Sequence, residues 1–548
     1  MLMSPPMKPG ASTATNGLTK AEIVLALALT AFSAVLHFHW RLNAGGLWRD
    51  EVGSVQFATM TSWGGIWKDL AFDNFPPLLL PFLRAWHGLG LAPDDSGWRN
   101  FGLGVGLLFL LLAWATSRFL LLRPPLLLLS VVGLSPLAVR TLDTLRPYGL
   151  GIVLMIAAFA AFYKTALDPT PRRTILAALC ATLAVQTLYQ NSVLILALFC
   201  GAVALAWRVK CARAAWHLLA ASMVAAVSVL PHLGHLRASQ DFGVVAQGPV
   251  DFRHLLAVTA SALVESGPIC LWLFPATVFA ALAWIIFPSR WSFSAAARPI
   301  AWFIIPVILV GTTGFYLFLL ASKLPTQPWY YVILLALAAC AVDSMATLDA
   351  PVAFRWSRLG AAAVLALGAV PFSWPGSALR MTTVDLLAAK VTRGAVPEDL
   401  VLISAWEPGV TWQFYYRQGR APWQTIPPLS DHRIHRYDLV KELMMQSDQS
   451  QVMSSTLQSI RNTLKSGHRV WLVGDLPVFP KLAPISLPPA PQGLDGWRQD
   501  AYAFVWSCQV GTFLQAHGHS MEMFKRSLNA PTNEFENLDL FRVTGWRE

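Results

Sequence analysis

Three carboxylates stand early in this chain within reach of one another along the sequence. Asp50 and Glu51 are adjacent in Leu47-Trp48-Arg49-Asp50-Glu51-Val52, and Asp73 follows in Phe72-Asp73-Asn74-Phe75-Pro76-Pro77-Leu78. A carboxylate that is partly desolvated and flanked by basic groups can be tuned to abstract a proton from an attacking group. Neighbouring helical residues point about 100° apart, so Asp50 and Glu51 need not share a role. One can face a cavity while the other braces the loop. The blander reading is an acid salt-bridged to Arg41 or Arg49 at a helix end. Pro76 and Pro77 stiffen the backbone after Asp73, which would hold it at a set distance from Asp50. The two acids could then share a hard divalent cation, Mg or Mn, with a phosphate. An Asx turn before a proline-started helix is the alternative for Asp73.

The elements that must position these acids are membrane helices. The chain has 548 residues, of which 55% are hydrophobic and only 13% charged. Its mean hydropathy is +0.50, so the composition is that of a polytopic membrane protein. Hydrophobic runs of spanning length fall near 21–40, 98–117, 125–145, 148–163, 174–189, 192–207, 214–231, 268–287, 299–320, 330–347 and 359–374, about 11 transmembrane helices. Ala44-Gly45-Gly46 has the look of a signal-peptidase site, but the preceding run is of spanning length.

With residues 1–20 as a cytoplasmic tail, the loops expected inside carry Arg118 and Arg123; Lys164, Arg172 and Arg173; Arg208, Lys210 and Arg213; Arg290 and Arg298; Arg355 and Arg358. Each is basic, as the positive-inside rule requires. The net charge of +11 is thereby explained without nucleic acid. The outer loop 41–97 carries the acids. Residues 76–90 would invert every later loop if they spanned, so they are expected to lie in the outer interface. The module 21–375 is followed by a polar region, 376–548, where Leu400–Ile403 and Val470–Gly474 read as strands and 383–392 and 437–445 as helices. That alternation predicts a small extracytoplasmic α/β domain with a mostly parallel sheet, either a docking lid or a partner in the chemistry.

On this topology Arg99 and Arg146 reach the outer surface, against the usual bias, as does Lys323. A fork of donors matched to a phosphate is the simplest reason for the arginines. Asp143 pairing with Arg140 or Arg146 is the structural alternative. His232, His235 and His254 lack a tight cluster with acids, which argues against zinc. No GxxxxGK[ST], G-x-S-x-G or C-x-x-C motif occurs, so chemistry driven by cytosolic ATP is not expected.

A first span, an outer Asp50-Glu51, a second acid in Asp73-Asn74-Phe75-Pro76-Pro77-Leu78, an Arg99-opened second span and Arg146-Pro147-Tyr148 occur in that order. Together they resemble the GT-C glycosyltransferases, in particular the protein O-mannosyltransferases and the lipid A aminoarabinose transferases. The resemblance covers 20–375 and is strongest over 47–150. It implies a sugar donor carried on a polyprenyl phosphate, an extracytoplasmic acceptor and a single inverting displacement. It further implies a bacterial inner-membrane location. By analogy Asp50 is the base or acceptor-orienting acid with Glu51 beside it, Asp73 the second acid, and Arg99, Arg146, Tyr148 and Lys323 the donor-phosphate site. Phe75 departs from the pattern, which has a His or another polar residue there, and this puts a metal role at that position in doubt. A transporter or flippase of lipid-linked glycans would instead place its ionisable groups near the bilayer midplane. A non-catalytic assembly protein of the same fold is the third reading.

Overall fold

The computed structural model describes the chain apart from residues 1–8, 74, 121–122, 244–249, 287–297, 323–325, 347–349, 478–486, 492–498 and 526–529. Lys323 and Arg290 lie outside the described residues.

Every expected hydrophobic run forms helix, but not every run forms one straight span. Among the described residues, seven helices are long and apolar enough to cross a membrane, and up to nine spans result if each of two bent pairs counts as one. The helices Pro171–Val185 and Pro328–Ser344 are shorter. The first bend, 82° between Leu126–Gly133 and Pro136–Asp143, falls where Pro136 can only begin a helix; Ser135 caps it by accepting from Ala138 N. The second, 110° between Phe252–Val264 and Pro268–Trp284, turns on Gly267. Its φ of +109° is open to glycine alone, and a Cβ there would come within 2.6 Å of the Gly368 carbonyl.

Helix α1 (Pro9–Asn43) crosses the whole membrane module. Near its start Glu22 is fully buried and pairs with Arg355 at 2.7 Å and with Arg358 at 3.0 Å; Arg358 also reaches Asp343 at 3.0 Å. These two arginines, expected in a surface loop, sit instead within the helix Val352–Gly376 and are 2% exposed. Two buried acids, with backbone donors from Leu127 and Leu128 to Asp343, offset the cost of burying them. From Glu22 to Asn43 the helix rises about 32 Å, roughly one hydrocarbon core, so the acids of the 41–97 loop stand at the opposite surface.

That loop folds into α2 (Arg49–Ala58), α3 (Trp63–Asp69) and α4 (Leu79–Gly88) before α5 (Asp95–Phe119) re-enters the membrane. At ten residues α4 rises only about 15 Å and is too short to span.

The C-terminal region carries a five-stranded sheet of order β2-β1-β3-β5-β4. Strands β1 (Leu400–Ser404), β2 (Trp423–Ile426) and β3 (Val470–Val473) run parallel. Strands β4 (Gly518–Lys525) and β5 (Leu540–Trp546) pair antiparallel, and β5 is antiparallel to β3. Four of the five strands therefore share one direction, a mostly parallel sheet with β5 alone reversed between β3 and β4; the direct return from β4 to β5 sets those neighbours antiparallel. Strands β1 and β3 are buried almost throughout, which is why both read as continuous apolar runs.

The sheet domain is anchored on the loop before α2. Met381 N donates to the Ala44 carbonyl at 2.8 Å, and Leu47 N donates to the Tyr415 hydroxyl, which donates in turn to Asp95. Gly45 makes this approach possible, since with φ +64° a Cβ would strike the Arg380 guanidinium at 2.4 Å.

Candidate active site

Asp50 and Glu51 open α2 and diverge as helical neighbours must. Glu51 is fully buried. Its Oε1 accepts from Arg99 Nη1 at 2.5 Å and from Leu145 N at 3.0 Å, and Oε2 faces Trp48 N at 3.4 Å. Arg99 is 2% exposed, spends Nε and Nη2 on the Gly45 and Gly46 carbonyls, and lies over the Trp40 ring. A guanidinium so enclosed has no face for a phosphate, so the geometry places Arg99 and Glu51 in the frame that ties α1, α2 and α5 together.

Asp50 is different. Its side chain is 29% exposed, and among the described residues its carboxylate accepts no hydrogen bond. Within ion-pair distance of it stand Arg49 Nε at 3.8 Å and His435 Nε2 at 4.0 Å. Beneath it Arg146 Nη1 donates to the Asp50 carbonyl at 3.2 Å, to Ser54 Oγ at 3.0 Å and to Asp73 Oδ1 at 2.8 Å. Burial pushes the Asp73 carboxyl above the usual range, and Arg146 pulls it back. Asp50, Asp73 and Arg146 therefore converge, as the sequence order implied.

Phe75 now has a physical role. Its ring lies 4.6 Å below the Arg146 guanidinium and meets Tyr148 edge-on, while Tyr148 stacks on Tyr330. An aromatic face thus holds the cation in place. Arg49 is held likewise, over Phe535 and Trp48. Among the described residues the buried Nε groups of both Arg49 and Arg146 find no acceptor. Two guanidinium groups beside one acid thus keep unspent donors, an arrangement suited to an anion.

The fit to a metal is poor. Arg146 already places its charge between Asp50 and Asp73, and among the described residues no group of three His, Cys, Asp or Glu is arranged to hold an ion. His232 bonds to Gln186 and His235 packs on Trp67. Asp143 pairs with neither neighbouring arginine; it is buried against His37 at 2.8 Å, while Arg140 reaches Glu265.

The C-terminal domain supplies groups that the sequence did not single out. His435 is held between Tyr437 and Trp406, and burial keeps its pKa down to about 4 despite Asp50. Glu536, fully buried, accepts from Thr411 and from Arg49 N, and burial raises its pKa to about 7. These residues lie more than 350 positions from Asp50, and no spacing rule spans that gap. A cleft of about 670 Å³ opens farther along α2, lined in part by Gln56, Asp69, Trp98, Phe414, Arg417 and Arg433.

Fold and site together define a multi-pass membrane protein with a cluster of acids and arginines at one surface, against which a small α/β domain packs. The chain is similar to the crystal structure of ArnT from Cupriavidus metallidurans in the apo state, with a TM-score of 0.48 and 15% identity over 84% of this chain and 93% of that one. Against the same enzyme bound to undecaprenyl phosphate the TM-score is 0.45 and the identity 13%, over 82% and 92% of the two chains. No family model matches. No curated protein matches either.

Proposed function

We propose that this protein is an integral-membrane glycosyltransferase of GT-C type that moves a sugar from a polyprenyl-phosphate carrier to an extracytoplasmic acceptor by inverting displacement. The observation that carries the reading is an Asp50 carboxylate that accepts no hydrogen bond among the described residues, 3.8 Å from Arg49 and with Arg146 on its backbone carbonyl, the Nε donors of both arginines being unspent among those residues. The acceptor hydroxyl or amine gives its proton to Asp50 as its lone pair attacks the anomeric carbon. The bond from that carbon to the carrier phosphate breaks, and the departing phosphate takes the electron pair. Charge grows on the phosphate in the transition state, and preplaced cations in a partly dry site stabilise it most there. Arg146, propped on Phe75, and Arg49, propped on Phe535, are the donors proposed for it, with Tyr148 alongside. Lys323 stands as a further candidate cation. Asp73 holds Arg146 in place. The acceptor approaches by the cleft along α2. In this reading the acid pocket and the C-terminal domain face the periplasm of a bacterial inner membrane, and the N-terminus faces the cytoplasm.

A glycan transporter would gather its ionisable groups near the bilayer midplane. The site acids and cations gather at one surface, which favours the enzyme. The test is mass spectrometry of polyprenyl-linked sugars in cells lacking the protein and in cells carrying Asp50→Asn. Accumulation of one carrier-linked sugar in both, with normal amounts of the variant in the membrane, supports the reading. An unchanged lipid profile in both would overturn it.

A further inference from the structure

Strand β4 closes one edge of the C-terminal sheet. Successive side chains of a strand leave on opposite faces, and on β4 the two faces differ in kind. On one, the Ser520 hydroxyl bonds to that of Thr544 at 2.7 Å and Glu522 pairs with Arg542 at 2.7 Å, each with the residue set opposite it on β5. On the other stand His519, Met521 and Met523, all exposed, the two methionines by 46% and 48%. Opposite Met521 is Val543 and opposite Met523 is Phe541, neither of which has a polar side-chain atom to engage them. Gly545 makes room for the imidazole: with φ +70°, a Cβ there would lie 2.8 Å from that of His519. This face therefore offers one nitrogen and two sulfur donors to solvent, with the Glu522 carboxylate turned to the other side.

Alternate residues on a strand stand about 6.7 Å apart. An ion lying between two such neighbours is within reach of both side chains. The three residues together span about 13 Å, too far for one ion to meet His519 and Met523 at once. Met521, in the middle, is the ligand that either pairing shares. Thioethers are soft donors and select Cu(I) over hard divalent ions such as Mg or Ca. His517, which ends the preceding helix, lies flat on the Trp546 ring at 4.5 Å and belongs to the packing of the domain.

We propose that this face of β4 binds a soft monovalent cation of the Cu(I) class, with Met521 as the constant ligand and His519 or Met523 as its partner. The site is separate from the acids and arginines around Asp50, and it stands or falls independently of the glycosyltransferase reading.

The test is silver ion, a redox-inert probe of the same charge and softness, titrated into the full-length protein in detergent with its methionine methyl groups isotope-labelled for NMR. Met521→Leu and Met523→Leu assign the two signals, and melting temperatures confirm that both variants are folded. Because the readout is at the methyl groups, silver held by cysteine thiols leaves it unmoved. The expected result is that the Met521 and Met523 signals shift and saturate together, before that of Met223, another exposed methionine, and that Mg leaves them in place. Met521→Leu should raise the silver needed to move the Met523 signal about tenfold or more. His519→Gln should leave the Met521 signal responsive, since Met523 remains as its partner. Signals that stay still, or that move only with Met223, would show adventitious thioether binding and overturn the proposal. An unchanged Met523 response in Met521→Leu would overturn it as well. If Met521→Leu melts early, the Met521 response in Met523→Leu decides: its persistence through His519 upholds the site, and its loss on adding His519→Gln to that variant is required.

Discussion

Arg146 Nη1 and Asp73 Oδ1 lie 2.8 Å apart, and the same nitrogen reaches the Asp50 carbonyl. One guanidinium thus joins the two acidic stretches of the outer loop while its Nε points to no acceptor. The pair is about one-tenth exposed on each side. Removing one partner leaves a nearly buried charge, which typically costs about 3–5 kcal/mol. Arg146→Ala is therefore expected to lower the melting temperature and to abolish carrier turnover. Arg146→Lys should retain more of the stability than of the turnover, because a point charge cannot both pair with Asp73 and present a planar fork. Melting curves and lipid profiling on the same two variants check this.

Glu51 and Arg99 should behave as architecture. Either single change, Glu51→Leu or Arg99→Leu, is expected to sharply reduce the folded protein recovered from membranes. The double change should recover part of it, since replacing both partners of a buried pair by apolar side chains removes the desolvation cost. Size-exclusion profiles of the three variants are the measurement. Full recovery of folded protein from the Arg99 single variant would contradict the assignment.

Glu536 gives a pH dependence with a definite sign. Burial raises its pKa from the ordinary 4.5 to about 7, so between those values the folded protein holds a proton that the unfolded chain releases. The stability this contributes is present below pH 4.5 and is lost as pH rises through about 7. Glu536→Gln imitates the protonated form and should lack that loss. The difference in melting temperature, native minus variant, is expected to fall between pH 4.5 and 7. His432 and His435, both depressed to about 4, act in the opposite direction as pH falls below 6.5 and cancel in this comparison.

Chelation tests the place of Arg146 between the acids. With a guanidinium already bound to Asp73 and to the Asp50 backbone, turnover of the carrier-linked donor by purified protein should survive EDTA and gain nothing from added Mg or Mn. Loss on chelation with recovery on adding the metal would mean that Arg146 yields its place to a cation.

Much of this was readable from the chain, for reasons that can be named. Asp50, Asp73 and Arg146 lie at ends of spans, where hydropathy sets position, so their convergence followed from topology. The run 125–145 read as one span, and its bend at Ser135-Pro136, though local backbone chemistry, has an angle set by packing that hydropathy does not show. Glu51 and Arg99 were assigned to chemistry because a sequence shows charge and not burial. Phe75 looked like a defect in a motif, since a cation lying on a ring is visible only once Arg146 is placed above it. His435 and Glu536 reach the site through a domain whose docking depends on Gly45, Tyr415 and Arg380, contacts between segments more than 300 residues apart. Nothing in the local sequence of either residue marks it.

The most direct measurement of the central claim is native mass spectrometry of the purified protein titrated with undecaprenyl monophosphate, native beside Arg49→Gln. In the proposed site Arg49 meets the phosphate with a donor that has no acceptor among the described residues, so its loss should leave the melting temperature in place and weaken carrier binding about tenfold, or 1.4 kcal/mol. Equal retention of the carrier by both proteins would contradict the account.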